Sequence, residues 1–441
     1  MIGNLDSTWS PSVDEKGRVR VDAGWRLDWW IGADDRWHVP GREIAVRQHA
    51  VDDTPVLETA MRIPGGDAVQ RVYAARVAGG DEVVVVEVEN RSAVPVALAL
   101  VVEGARRLEQ EEAGLRIDGA PGLLWPKPPS RATADLDSVT SGDAGTSVVR
   151  VKDRRGRAAA AFIWPLAHRT TLRFVLPAPD ASVAAPPPSA EQVVRGWKVH
   201  GERGLRLVLP DAPAQSAFDA GKLSALLAHT RSASPALAGT LDRLGFAEEA
   251  GDVLRRLDED EALVSALAFH CRLHGDAELA ADLAPAVAAV AERRRSPGVA
   301  ADAAVVLRCA GEERGAADAE RLAAGFVPPP PDLAGDDTSV SVLRDRLVVE
   351  DGGDGLALCS RWPSGWLGAG LEVHDAPTAH GRLSFAVRWH GDRPALLWEL
   401  DGSARLTAPG LDPAWSTTEP RGDALLAPVP LPGTPVTLRR A

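Results

Sequence analysis

Hydrophobic periodicity switches twice along this chain, and the two switches constrain its architecture more than any other feature. From residue 17 to 210 apolar residues recur with period two. Residues 42–51 and 55–63 alternate, Pro64-Gly65-Gly66-Asp67 supplies a turn, and 68–77 form the returning strand. Residues 82–90 carry four consecutive valines, as a strand buried on both faces does, and 94–102 follow an Asn90-Arg91-Ser92 turn. Further strands are expected at 115–118, 147–151, 157–164, 170–176 and 204–209, with a Pro/Ala/Ser-rich surface loop at 177–190. Near Ala214 the period becomes 3.6, predicting helices at 214–230, 234–244, 246–257, 261–274, 277–294, 299–310 and 314–324. Pro328–Pro331 cannot donate to a ladder or a helix and marks a boundary. Strand patterns resume from Ser339, at 343–350, 355–360, 384–390 and 395–400. The order predicts an α+β multidomain protein. Its parts are a large N-terminal antiparallel β-sandwich over 1–210, an incomplete α/α helical-hairpin segment over 211–327 and a C-terminal antiparallel β domain over 337–441. A chain of 441 residues exceeds what one hydrophobic core serves.

Charge and cysteine usage narrow the function classes. The net charge of −13 disfavours nucleic acid and anionic membranes as partners, since both need basic patches. The longest basic run is Arg293-Arg294-Arg295, placed where a helix C-terminus favours cations. Three cysteines, Cys271, Cys309 and Cys359, are too scattered for a disulfide framework or a zinc motif. The first residues show neither a basic n-region nor an apolar core, and no apolar run is long enough to span a bilayer, so a cytoplasmic location is expected. Abundant Ala, Arg and Gly with scarce Lys points to a GC-rich, bacterial genome. Aromatic usage is lopsided, with 13 Trp against 7 Phe and 1 Tyr. An indole face stacks on a pyranose, but it also fills a core, and both readings are open for each Trp.

One segment points toward a chemistry. The run from Gly245 to Val287 reads as helix, acidic turn Asp258-Glu259-Asp260-Glu261, helix, turn Leu273-His274-Gly275-Asp276, and a helix carrying Pro285-Ala286-Val287. It resembles one hairpin of the six-hairpin glycosidases, whose catalytic domain is a toroid of paired helices. The resemblance covers a small part of the chain. It implies a large sandwich before the helices and a small β domain after them, and it places catalytic carboxylates on loops at inner-helix N-termini. The positions here that correspond are Asp258, Asp260 and Glu261, which also suit helix capping. Seven helices fall short of the full toroid, so the chain reads as a shortened member of that superfamily.

Two other segments mix tryptophan with acids and histidine. Trp25–His38 contains Trp29, Asp34, Asp35, Trp37 and His38, a set that can stack a sugar ring and bind its hydroxyls, or form an edge hairpin with solvated charges. Ser360–Gly381 contains Trp362, Trp366, Glu372 and His374 on a Gly-rich loop and the strand leaving it. Glu372 is a candidate catalytic carboxylate and the others are candidate sugar contacts. Alternation would put several of these residues in the core instead. No phosphate-binding glycine motif, P-loop or Gly-x-Ser-x-Gly elbow is present, and no cofactor is expected. His270 and His274 stand at i and i+4, yet the zincin glutamate is missing between them, and they read as structural histidines rather than a metal pair. No pattern specifies an oligomeric state.

Two functions compete. The first is a carbohydrate-related, non-hydrolytic glycan-binding or scaffold protein whose expected partner is an oligosaccharide or other glycan. The second is an active glycoside hydrolase, which requires two carboxyl groups about 5–5.5 Å apart if retaining or about 6.5–9.5 Å apart if inverting. The shortened helical segment favours the first.

Overall fold

The computed structural model describes residues 2–430 apart from 22, 23, 147, 180, 182, 184, 327–338, 351, 352 and 354. The expected break at Pro328–Pro331 lies outside the described residues. The chain divides into two compact units, Met1–Val199 and His200–Ala441. Both β-rich parts and the helices between them are present, so the α+β class holds, with a sandwich first and a C-terminal β region last.

The first unit is a sandwich of two antiparallel sheets. One runs in the order Ser12–Val13, Val19–Arg20, Arg26–Gly32, Val96–Ala105, Ala158–Leu166, Arg131–Thr133, with Trp37–His38 added beside Arg26–Gly32. The other has nine strands, centred on Thr171–Pro177, Glu82–Asn90 and Gly66–Arg76. Alternation along these strands sends Val84, Val86, Val88, Leu98, Leu100, Phe162 and Trp164 into one shared core. Trp125, Phe162, Trp164 and Phe174 interlock there, with centroids 4.9–5.8 Å apart.

Two helices in this unit were not expected from the sequence. Helix α1 (Leu136–Ser141) caps the outer face of the first sheet, where Val139 packs with Trp30, Val101 and Ile163. Helix α2 (Ala190–Gly201) begins where only a loop was read, and Ala190 and Val194 cover Tyr73, Val83 and Val85. That cover explains the four-valine run of 82–90. Its even-numbered valines face the sandwich core and its odd-numbered ones lie under α2.

Among the described residues of the second unit the α-helices are α3 (Ala212–Ala228), α4 (Pro235–Leu244), α5 (Ala247–Leu254), α6 (Glu261–His274), α7 (Ala277–Arg294), α8 (Pro297–Cys309), α9 (Glu313–Leu322) and α10 (Val340–Leu347). Asp211, Ser234, Asp260 and Asp276 cap the N-termini of α3, α4, α6 and α7 through side-chain oxygens. Gly245 and Gly275 end α4 and α6 in the left-handed conformation that glycine adopts without a Cβ clash. The helices are not a detached bundle, since α4 and α6 pack on strand Leu371–Thr378. That strand lies in a five-stranded antiparallel sheet ordered Arg206–Val208, Leu371–Thr378, Gly381–His390, Arg393–Gly402, Arg421–Leu425. A four-stranded sheet, Val348–Glu350, Gly355–Leu358, Arg405–Ala408 and Asp412–Thr417, contains one parallel pairing, Gly355–Leu358 with Arg405–Ala408.

Two local readings are corrected. Residues 343–350, expected as a strand, are helix as far as Leu347 and strand only from Val348. Arg344, buried on that helix, donates to the carbonyls of Val348 and Pro377 and to Asp345, so a charged residue occupies an inward position without being left unpaired. The strand at 206–208, expected to complete the sandwich, pairs instead with Leu371–Thr378 in the second unit.

Candidate functional site

In the first unit the segment 25–38 forms strand Arg26–Gly32, a turn and the short strand Trp37–His38. Trp29 is fully enclosed and its indole N–H donates to the Lys16 carbonyl at 3.1 Å, so it offers no face to a ligand. Asp34, Asp35 and Trp37 are different. Both aspartates are exposed and Trp37 is half-buried. Gly32 permits the Trp37 ring to lie against the backbone, because a Cβ there would meet the ring at 3.0 Å. Asp34 and Trp37 line one cavity of about 340 Å³ with Ser130, Arg131, Val139 and Ile163. Asp35 turns toward His38, whose Nε2 lies 3.0 Å from its Oδ1, and Glu43 approaches His38 Nδ1 at 3.2 Å. The His38 hydrogen bond holds the Asp35 carboxyl below its ordinary range, and the Arg36 guanidinium does the same for Glu43. Both therefore stand as fixed carboxylates.

A second cavity of the first unit, about 350 Å³, was not foreseen. It is lined by His49, Asp52, Glu58, Arg71, Glu191, Arg195 and Lys198, of which the last three lie on α2. The sequence predicts no element between the loop 177–190 and the strand 204–209, so no pattern in it brings these residues together.

In the second unit the acidic turn does what helix N-termini ask of acids. Asp260 Oδ1 accepts from the amides of Ala262 and Leu263, and Glu261 pairs with Arg294 at 3.0 Å. Asp258 supports the turn through its carbonyl, which accepts from the Asp260 amide. Glu372 and His374 are brought together on strand Leu371–Thr378, with Oε2 3.0 Å from Nε2, and Glu372 also binds Arg388. Trp362 and Trp366 meet edge to face at 6.3 Å, and Trp389 joins Trp362 at the same distance. Trp366 is buried and Trp362 half-buried, so this trio is mostly packing. A separate polar cavity, about 530 Å³, is lined by Asp375, Arg382, Ser384, Glu399, Asp401 and Arg421. Its Asp375 is held by Arg206 at 3.0 Å.

The most unusual cluster is buried. Asp242, in the last turn of α4, has a side chain that is 0% exposed. His270 Nδ1 lies 2.6 Å from its Oδ1 and His274 Nε2 lies 3.3 Å from the same oxygen. On its other side His270 Nε2 lies 3.4 Å from Asp276 Oδ2, while Asp276 Oδ1 caps α7 by accepting from Leu279. Burial disfavours a charged His270, but hydrogen bonds and attraction from Asp242, then Asp276, outweigh it and raise its pKa. Asp242, His270 and His274 have ligand-type atoms all within 4.8 Å of one another, a geometry that can hold a metal ion. The sequence signal for Asp242 was a lone acid beside Leu241 and Leu244 on the inward face of α4, and it was overlooked. Among the described residues, no helix is long and apolar enough to cross a membrane.

No protein-family profile matches the chain, and no curated protein matches it. Among solved structures, one described as a putative kojibiose phosphorylase from the human microbiome superimposes with a TM-score of 0.45 at 6% identity, covering 90% of this chain and 88% of that one. A family GH92 alpha-mannosidase from Bacteroides thetaiotaomicron superimposes with a TM-score of 0.29 at 10% identity, covering 68% of this chain and 52% of that one. The same mannosidase in complex with mannoimidazole gives 0.29, 10%, 71% and 59%. At these identities and TM-scores, neither protein's activity transfers to this chain.

Proposed function

We propose that the chain binds a glycan through its first unit and does not hydrolyse it, as a shortened relative of the six-hairpin glycosidases. The carrying observation is the cavity lined by Asp34 and Trp37. Its volume, about 340 Å³, is at the small end of ligand pockets and suits one or two sugar rings. The half-buried Trp37 supplies an apolar face for ring hydrogens, Val139 and Ile163 supply apolar wall, and Asp34, Ser130 and Arg131 supply acceptors and donors for hydroxyls. Non-hydrolysis is supported by the occupations of the candidate acids. Asp260 is a helix cap, and Glu261 and Glu372 are in ion pairs. A general acid must instead keep a proton for the leaving group.

The test is calorimetric titration of an oligosaccharide panel into the full chain, with Trp37→Phe, Trp37→Ala and Asp34→Ala beside wild type, and chromatography of each glycan after incubation. Loss of the stacking face should weaken binding by roughly 10-fold or more for Trp37→Ala, with Trp37→Phe retaining part of it. Intact glycan is expected after incubation. Absence of binding across the panel, or wild-type affinity in both Ala variants, overturns the binding site. Release of shorter sugars overturns non-hydrolysis.

A further inference from the structure

Asp242 carries a carboxylate oxygen for which burial provides no partner. Its Oδ2 is enclosed and makes no hydrogen bond, while Oδ1 faces both His270 and His274. A buried acceptor left unpaired is costly, so such a group in a native fold asks for an occupant. Nearby cations are committed elsewhere: Arg243 to Asp345, and Arg272 to Asp302. His270 lies between two carboxylates, Asp242 and Asp276, so one positive ring cannot neutralise both. The cluster also lies at the last turns of α4 and α6, where two helix dipoles present their negative ends. Charge, an orphaned oxygen and helix ends all favour a cation at this place.

The donor set and spacing say which kind. Two imidazoles and one carboxylate are borderline ligands, suited to zinc-class transition ions rather than to calcium or magnesium, which take oxygen. His270 and His274 project from one face of α6 at i and i+4, with ring centroids 5.0 Å apart, and Asp242 reaches them from α4. Tetrahedral coordination at about 2.0–2.1 Å separates neighbouring ligand atoms by about 3.3 Å. The His274–Asp242 distance already has that value, and the 2.6 Å His270–Asp242 contact must open by about 0.7 Å, a small ring rotation. Asp276 stands where carboxylates behind metal-bound histidines stand, accepting from the far nitrogen and fixing the ring. His274, with a side chain 13% exposed but an enclosed Nε2, is the ligand of the set nearest solvent, since the His270 and Asp242 side chains are 0% exposed. Cys271 stays outside the set, since only the ligand atoms of Asp242, His270 and His274 lie within 4.8 Å of one another among the described residues.

We propose that Asp242, His270 and His274 bind one divalent transition ion of the zinc class, tying the ends of α4 and α6 together, with Asp276 as a positioning residue. The proposal is independent of the glycan reading. Its test uses the tag-free full chain, stripped with a chelator and titrated with Zn²⁺ by calorimetry and with Co²⁺ by visible absorption. The expected result is one equivalent bound, a tetrahedral Co²⁺ spectrum without a thiolate charge-transfer band, and a Tm that rises with the logarithm of free zinc. His274→Gln should lower zinc affinity at least ~100-fold, and His274→Cys should restore part of it. Asp276→Asn keeps a good helix cap and should lower affinity roughly 10–100-fold. No stoichiometric uptake by wild type, unchanged affinity in His274→Gln, or a thiolate-type Co²⁺ spectrum overturns the site. The wild-type spectrum decides the matter even if His274→Gln does not fold.

Discussion

Lys222 shows how one side chain can couple this fold to pH. It sits half-buried on α3, donates to the carbonyls of Gly201 and Leu205, and has its ammonium 5.5 Å from the Phe246 ring centroid. Burial lowers its pKa from 10.5 to about 8, with Asp219 opposing and Arg206 adding to the shift. The sign follows from proton binding. Between about 8 and 10.5 the unfolded chain holds this proton more tightly than the folded one, so this group's contribution to stability grows as pH rises through that window. Below pH 8 both states hold the proton and the cost of the buried charge is constant. Comparing Tm of wild type and Lys222→Met from pH 7.5 to 10.5 should show the difference moving in favour of wild type, by roughly 2–4 °C for each kcal/mol. A difference that stays flat would show that Lys222 titrates normally.

At the level of elements, the hairpin of Gly381–His390 and Arg393–Gly402 rests on two facing glycines. Gly381 (φ +115°) and Gly402 (φ +156°) are directly paired, and a Cβ on either would lie 1.8 Å from a backbone carbonyl oxygen, of Asp401 or His380. Neither carbonyl is the movable end of a side chain. Gly381→Ala and Gly402→Ala should each therefore cost more than ~2 kcal/mol in denaturant unfolding, with Gly391→Ala, whose Cβ meets nothing, as the milder control. Equal losses in all three would refute the close approach. The same comparison of local and long-range causes explains what the sequence revealed. Helices α3 to α9 were legible because 3.6-residue periodicity and their caps are local signals, from Ser234 to Gly275. Helix α2 was not, since its two inward residues, Ala190 and Val194, become informative only against Tyr73 and Val85. Of the candidate site, Asp34 and Trp37 share a cavity, but Trp29, at the middle of the preceding strand, points inward. Alternation announces that some residues of a strand are buried, and only the partner sheet decides which. Asp242 escaped because its partners, His270 and Asp276, are roughly 30 residues away and meet it by helix packing.

For the whole molecule, the first unit owns a core whose described residues, from Ile2 through Trp29 and Val86 to Leu176, all belong to that unit. A fragment of residues 1–199 should therefore fold alone, giving a cooperative melt and the near-ultraviolet circular dichroism of packed tryptophans. A fragment with secondary structure but no near-ultraviolet signal would refute that independence. The second unit faces a different constraint, set by the pairing of Arg206–Val208 with Leu371–Thr378. The two strands are roughly 160 residues apart, and closing such a loop costs about 4–5 kcal/mol of chain entropy before the pairing returns anything. On a ribosome the early strand leaves the exit tunnel long before its neighbour is made. Synthesis at about 5–20 residues per second leaves it exposed for roughly 8–30 seconds. During that interval α3 to α9 can assemble, while a three-residue edge, Arg-Leu-Val, waits with unpaired backbone groups. Its brevity and its arginine limit what else can add to it. The polypeptide thus begins this sheet with a short, charged strand and completes it only once Arg421–Leu425 has been made.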